Sequence, residues 1–298
     1  MNGNAAAIGT FDGVHLGHAA VISCLKEIAS EKGLQPIAIT FDRHPLSLIA
    51  PERAPLSITT IHKKEDLLSK AGVVPVVVPF DESLRSTTAS DWMKMLRDDY
   101  NVEAIVVGYD NTFGCDGVAL SVADYKEIGS RLGIEVTEAP FVAGISSSAI
   151  RKAISSGRIE EANAMLGRKF SLPGVVVEGN KLGRTIGFPT ANILPHAGIV
   201  LPGNGVYAAF ATLPDGSRRG AMVNVGTRPT VRRGNNMTIE AHILGWKGDI
   251  YGMPIKLTFV ARMRDEEKFN SIEALRRQLE KDTAKTQIFL DKVSRQEK

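Results

Sequence analysis

Cysteine is nearly absent from this sequence. Two residues, Cys24 and Cys115, lie far apart with no CxxC spacing, which argues against a disulfide framework or a cysteine-rich metal site and fits a reducing cytoplasm. Long apolar runs are also missing. The longest, near Val73 to Phe80, is too short to span a bilayer, and Met1 to Thr10 lacks a basic stretch followed by an apolar one, so neither membrane insertion nor secretion is expected. Charge of one sign is not concentrated: 36 basic residues against 33 acidic ones give a net charge of +3, spread along the chain without the basic stripe of a nucleic-acid binder. A few well-placed Lys and Arg residues and backbone amides could still serve small phosphorylated ligands. The Walker pattern GxxxxGK[ST] is absent, as are internal repeats and low-complexity segments.

The chain has 298 residues, 43% hydrophobic and 23% charged, an ordinary globular balance with length enough for two cores. From Ala5 to Gly167, short β-branched runs (Pro36 to Phe41, Val73 to Phe80, Glu103 to Gly108, Ile134 to Ala139) alternate with helical patterns at His18 to Lys32, His62 to Ala71, Ala89 to Tyr100 and Ser121 to Leu132. That alternation predicts a doubly wound α/β domain, Rossmann-like in architecture. After Gly167 the pattern changes. Val175 to Glu178, Gly205 to Leu213, Gly220 to Gly226, Thr238 to Leu244 and Ile255 to Ala261 are strand-like, and a helix is expected from Ser271 to about Leu290. These features predict a small β-barrel with a C-terminal helix. The boundary is expected in Gly167 to Pro173, giving domains 1–168 and 169–298.

Ahead of these runs a first strand is expected, and immediately after it comes Ile8-Gly9-Thr10-Phe11-Asp12-Gly13-Val14-His15-Leu16-Gly17-His18, where a helix is expected to begin. Glycines at 9, 13 and 17 allow tight turns and close backbone approach, and a helix N-terminus presents free amides to an anion. His15 and His18 can both point from such a loop at ATP phosphates and stabilise charge growing on phosphorus. Farther along, Ser146, Ser147 and Ser148 precede a helical run with Arg151 one turn in, a second place where a phosphate could be held.

HxGH followed by a serine-rich segment with an Arg resembles the nucleotidyltransferase superfamily. More closely, GTFDGVHLGH, FDRHP at Phe41 to Pro45, VGYDNTFG at Val107 to Gly114 and ISSSAIR at Ile145 to Arg151 resemble the FMN adenylyltransferase module of prokaryotic bifunctional riboflavin kinase/FAD synthetases. The likeness runs from Ile8 to about Arg168. Arg43 stands where Pro is usual in that family, Ser148 where Thr is usual, and Asn111 where an aromatic is frequent. The resemblance implies catalytic roles for His15, His18 and Arg151, and nucleotide binding by Gly9, Phe11, Gly17, Ser146, Ser147 and Ser148. It also implies placement of the flavin or ATP by Asp110.

The second half opens with Lys181-Leu182-Gly183-Arg184-Thr185-Ile186-Gly187-Phe188-Pro189-Thr190-Ala191-Asn192. Its glycines, Gly183 among them, let the backbone wrap phosphates, and Thr190 and Asn192 offer the hard neutral oxygens that suit Mg²⁺. GRTIGFPTAN, together with LPGNGVYA, NVGTRPT, IEAHIL, GDIYG and RMRDEEKF, resembles riboflavin kinase from Gly174 to about Asp282. By that likeness Glu240 would accept the proton of the riboflavin 5′-hydroxyl, although its pattern alone is that of an outward-facing strand carboxylate. Arg264 and the acidic residues after it would form a mobile flap over the flavin. The tail from Lys281 is expected to be a solvated helix end.

The expectation is therefore an enzyme that uses riboflavin, FMN and ATP with Mg²⁺ and yields FAD, with neither nucleic acid nor membrane as partner. Two other readings stay open on sequence: a kinase fused to a nucleotidyltransferase with a different acceptor, since HxGH reads ATP alone, or a flavin-binding regulatory module.

Overall fold

The computed structural model describes every residue except 1–2, 110–111, 180–182, 184–185, 228–236 and 297–298. The chain divides into two compact units, Met1–Ser147 and Ser148–Lys298, N-terminal of the division expected from the sequence.

The first unit contains five parallel strands: β1 (Asn4–Ile8), β2 (Gln35–Phe41), β3 (Val74–Val78), β4 (Val102–Val107) and β5 (Glu135–Glu138), in the order β3-β2-β1-β4-β5. Its main helices are α1 (Leu16–Lys32), α3 (Ile61–Lys70), α5 (Ala89–Tyr100) and α6 (Val122–Leu132), with the short α2 (Leu46–Ile49) and α4 (Glu82–Ser86) in the connections. Both short helices escaped the sequence pattern, because one turn is too little to display a helical period. Alternate strand residues face opposite layers. Ala5, Ala7 and Ala38 lie in a core with Leu25 of α1 and Leu68 of α3, whereas Ala6, Ile8 and Ile39 lie in a core with Trp92 and Leu96 of α5 and Tyr125 of α6. Small side chains on the first face let α1 come close to the sheet, and burying a residue such as Leu25 is worth about 1.5–3 kcal/mol. Strand order reverses at β1, which pairs with β2 on one side and β4 on the other. In open parallel sheets ligands bind outside the carboxyl ends of the strands at such a reversal.

The second unit takes nearly all of α7 (Ser147–Ser155), then α8 (Ile159–Leu166), strands β6 (Ser171–Val177), β7 (Ala191–Pro195), β8 (Gly205–Thr212), β9 (Arg218–Thr227), β10 (Met237–Ile243) and β11 (Pro254–Arg264), and the final helix α9 (Ile272–Gln296). The six strands close as β10-β7-β6-β11-β8-β9. Tyr207, Ala209 and Phe259 are buried inside the barrel, while Val206, Ala208 and Phe210 pack outward with Leu290 of α9. β7 was not anticipated: five residues ending in proline look like the tail of a loop.

α8 is tied to the barrel by one buried side chain. Asn163 Nδ2 donates to the Phe259 carbonyl at 3.1 Å, and its Oδ1 accepts from the Phe170 amide at 2.6 Å. The end of α9 is also less solvated than expected, since Asp282, Thr286 and Leu290 are all buried. The charged residues between them conceal a buried stripe at helical spacing.

Candidate active sites

The loop after β1 reaches the sheet edge in an uncommon conformation. Phe11 and Val14 have φ of 44° and 38°, and Gly13 has 81°. Left-handed backbone at two side-chain-bearing residues, one of them β-branched, costs about 1–3 kcal/mol each and marks a shape fixed by its surroundings. α1 begins at Leu16, earlier than expected, because the histidines themselves cap it. The His18 amide donates to His15 Nδ1, and the His15 amide donates to His18 Nδ1, both at 3.3 Å. The rings stack with centroids 3.6 Å apart. Histidine is not among the usual capping residues, so the sequence pattern placed the start late.

This reciprocal cap fixes the tautomer. Nδ1 of neutral His15 accepts, so its proton sits on Nε2, which faces Ser147 Oγ at 3.3 Å. Ser147 Oγ in turn donates to the Asp12 carbonyl at 3.0 Å. His15, His18 and Ser147 are thus brought together. Gly17 is needed for close approach, because a Cβ there would lie 3.0 Å from the His15 ring and 3.3 Å from the Ile145 carbonyl. Gly9 packs against Phe11. Phe11 itself is a core residue, its ring 5.2 Å from that of His18. Ser146 lies just ahead of α7, and Ser148 accepts from Arg151 Nη2 at 3.2 Å within it. Asp110 lies outside the described residues.

Two features of this region were not read from the sequence. Tyr109 and Phe141, at the carboxyl ends of β4 and β5, form an exposed aromatic pair with ring centroids 4.7 Å apart. Lys64 of α3 is buried, bonded to two carbonyls and a hydroxyl at the ends of β1 and β2; its spacing of four from Leu68 on the apolar stripe was the available signal. Nearby, Asp42 accepts from the Phe80 amide at 2.9 Å. Burial acts to raise its carboxyl, but that bond and the Arg43 guanidinium outweigh it and hold the group below the usual carboxylate range.

In the barrel, Glu240 stands on β10 directly across from Asn192 of β7 and Asn224 of β9. Thr190 Oγ1 lies 3.4 Å from Glu240 Oε2. Residues directly opposite in register share a face, so the row is set by strand pairing. Gly183 and Gly179 permit close approach: a Cβ on the first would lie 2.2 Å from the Phe188 carbonyl, and on the second 2.0 Å from Asn192 Nδ2. Glu240, Thr190, Gly183 and Arg264 line one cavity of about 320 Å³, walled opposite by Phe269, Leu275 and Leu279. A second cavity of about 300 Å³ shares Thr190 and is lined by Ile243, Trp246, Lys247 and Tyr251. Arg264 lies on a strand and not in the segment that follows it, where the flap was expected. It closes β11, and its Nε and Nη2 donate to buried Asp282 Oδ2 at 2.9 and 2.7 Å. His242 Nδ1 is 2.8 Å from the Pro189 carbonyl, which occupies that nitrogen with the loop backbone.

The chain thus carries two candidate sites: the histidine loop at the strand-order reversal of an open parallel sheet, and a strand carboxylate at the wall of a barrel cavity, with a second cavity reached through Thr190. The FAD synthetase family model matches residues 1–153, and the riboflavin kinase family model residues 166–290. Bifunctional riboflavin kinase/FMN adenylyltransferases from Listeria monocytogenes and Bacillus subtilis are each 36% identical, over 96% and 93% of this chain and 92% and 89% of their own. A solved structure named as a macrolide-efflux protein from Streptococcus pneumoniae is 31% identical with a TM-score of 0.88, covering 96% of this chain and 94% of that one. Efflux belongs to that protein's name; no described helix of this chain is long and apolar enough to cross a membrane. The chain belongs to the bifunctional riboflavin kinase/FMN adenylyltransferase family.

Proposed function

We propose that this enzyme phosphorylates riboflavin to FMN on the outer wall of the barrel and adenylylates FMN to FAD at the loop after β1. Residues 169–298 serve the first reaction and residues 1–168 the second. In the kinase step the riboflavin 5′-hydroxyl attacks the γ-phosphorus of ATP, its proton passes to Glu240, and ADP leaves. The observation that carries this reading is the cross-strand row of Asn192, Glu240 and Asn224 beside Thr190, at the wall of a cavity large enough for a flat ring. The cavity with Glu240 takes the flavin, Arg264 flanking it. The second, bounded by Trp246 and Tyr251 with Lys247 at hand, takes the nucleotide. Thr190 stands at both.

Mg²⁺ fits the same place, because Thr190 and Asn192 offer neutral oxygens next to one carboxylate. When bound it would neutralise developing phosphate charge. The glycine backbone at Gly183 shapes the loop around the phosphates.

In the adenylyl step a phosphate oxygen of FMN attacks the α-phosphorus of ATP and pyrophosphate leaves. The N-terminal end of α1 and the side chains of His15 and His18 stabilise the growing charge, with Ser147 orienting His15. Gly9 and Gly17 give the phosphates room, Phe11 supports His18 from below, and Ser146, Ser148 and Arg151 add donors for ATP. Asp110 helps to place the flavin, and the Tyr109–Phe141 pair offers an aromatic surface for its ring. Two free cysteines agree with the reducing cytoplasm as its location.

Incubation with riboflavin, ATP and Mg²⁺, followed by chromatographic separation of riboflavin, FMN and FAD over time, tests the pair of reactions. FMN should appear first and FAD after it; an adenylylated product other than FAD, or flavin bound without turnover, would displace this reading.

A further inference from the structure

The strained loop after β1 is braced from one side by the segment that leads into α3. The Gly13 amide donates to Thr59 Oγ1 at 3.3 Å. The Asp12 carboxylate, itself buried, accepts from the Ile58 and Thr59 amides at 2.8 and 3.3 Å. One turn into α3, Lys64 Nζ donates to the Thr10 carbonyl at 3.1 Å, to Thr40 Oγ1 at 2.8 Å and to the Phe41 carbonyl at 3.0 Å. These acceptors are at or beside the carboxyl ends of β1 and β2. A buried ammonium is costly, and spending all its donors on two strand ends is expensive unless their spacing matters.

We propose that Lys64 is a positioning residue of the adenylyltransferase site, its ammonium locking the start of the Thr10–His18 loop in the shape that presents both histidines to phosphate. The inference rests on the adenylyl-transfer reading of that loop. Three acceptors match the three N–H donors of the charged form. A neutral amine has only two, so loss of the proton removes one of these bonds and obliges the Thr40 hydroxyl to turn from the Thr10 carbonyl to the amine lone pair, which loosens the loop. Burial lowers Lys64 to about 8, while Asp12 from the β1 loop, Glu65 from its own helix and Asp42 from the β2 loop act to raise it. Arg43 and His44 are the other titratable side chains around the cavity that Lys64 lines. The brace is therefore intact below pH 8 and fails as pH rises through it. The kinase, built on other residues, is an internal control within the same chain.

The test is the ratio of FAD formation from supplied FMN to FMN formation from riboflavin, each at saturating ATP, from pH 6.5 to 9.5 on the full-length protein. The wild-type ratio should fall on the alkaline side of pH 8. Lys64→Met should cut adenylyl-transfer kcat roughly 10- to 100-fold with less effect on KM, as a misplaced catalytic group does, and should abolish the alkaline fall. Lys64→Arg, which stays charged throughout, should remove the fall from this pH range, and a fall that persists in it overturns the proposal. A flat wild-type ratio overturns the proposal even if neither variant folds. So does a Lys64→Met protein with normal kcat. If FAD is made by neither wild type nor variants, the reading of the loop fails first; a normal rate with no dependence on Lys64 sinks this inference alone.

Discussion

The two units gather their chemistry in different ways. In the first, both candidate catalytic histidines lie within one turn of chain, and the loop that carries them caps the helix that follows. In the barrel, Glu240, Asn192 and Asn224 come from three strands and meet because pairing register puts them opposite one another. A site made of consecutive residues can be displaced by local strain. A site made by register depends on the whole sheet, and a one-residue slip would turn the row to the other face.

The largest test of this contrast is Glu240→Gln. It keeps the strand, its shape and its neighbours but removes the base. FMN formation should fall about 10²- to 10⁴-fold, while FAD formation from supplied FMN continues. Near-normal phosphorylation in a radiometric or chromatographic assay would take Glu240 out of the mechanism.

His18→Ala should have a somewhat smaller and opposite effect. It removes a candidate donor to transition-state charge and one half of the reciprocal cap. FAD synthesis should lose about 10²- to 10³-fold in turnover, and riboflavin with ATP should yield FMN that accumulates. Equal loss of both activities would mean that the sites are not separate.

That asymmetry also explains what was legible in the sequence. The histidine loop could be read because spacing along the chain is spacing in space there. Four of the five parallel strands were visible as short β-branched runs, the alanine-rich β1 by its place before the glycine loop, and the long helices by their period. Gly183, Thr190 and Asn192 stood out as a motif, but nothing in the chain order put Asn224 beside Glu240. Lys64 hid among surface-like charges on α3, and Asp282 in a tail that reads as solvated; both are buried because a partner from distant sequence satisfies them. β7 hid because a strand that closes a barrel needs only a few residues when neighbours flank it on both sides.

A gentler change tests the barrel's dependence on its loop. Gly183→Ala would bring a methyl group to 2.2 Å from the Phe188 carbonyl, forcing a backbone shift. Displacing a group by about 1 Å can cost roughly 10²-fold in rate, so the kinase should slow by up to about 100-fold with FAD synthesis from FMN unchanged. A kinase rate equal to wild type would show that the loop shape at Gly183 does not matter to catalysis.

The smallest expected effect concerns where one unit ends. Sequence composition changes near Gly167 to Pro173, yet α8 is fastened to β11 through Asn163, and Phe170 lies in the barrel core. A fragment beginning at Ser171 loses Asn163 and Phe170 together and exposes the inner wall they cover. A fragment beginning at Ser148 keeps both. Asn163→Ala in the longer fragment isolates the polar part of this difference: it leaves the Phe170 amide and the Phe259 carbonyl without their partner, at a cost of about 1–3 kcal/mol. Thermal melts should therefore rank the fragment from Ser148 first, its Asn163→Ala variant a few degrees lower, and the fragment from Ser171 lowest. Riboflavin phosphorylation at low temperature should survive in the first two, since neither change touches the row around Glu240. Equal melting temperatures for the two fragments would assign α8 to the first unit after all and restore the boundary that composition alone suggests.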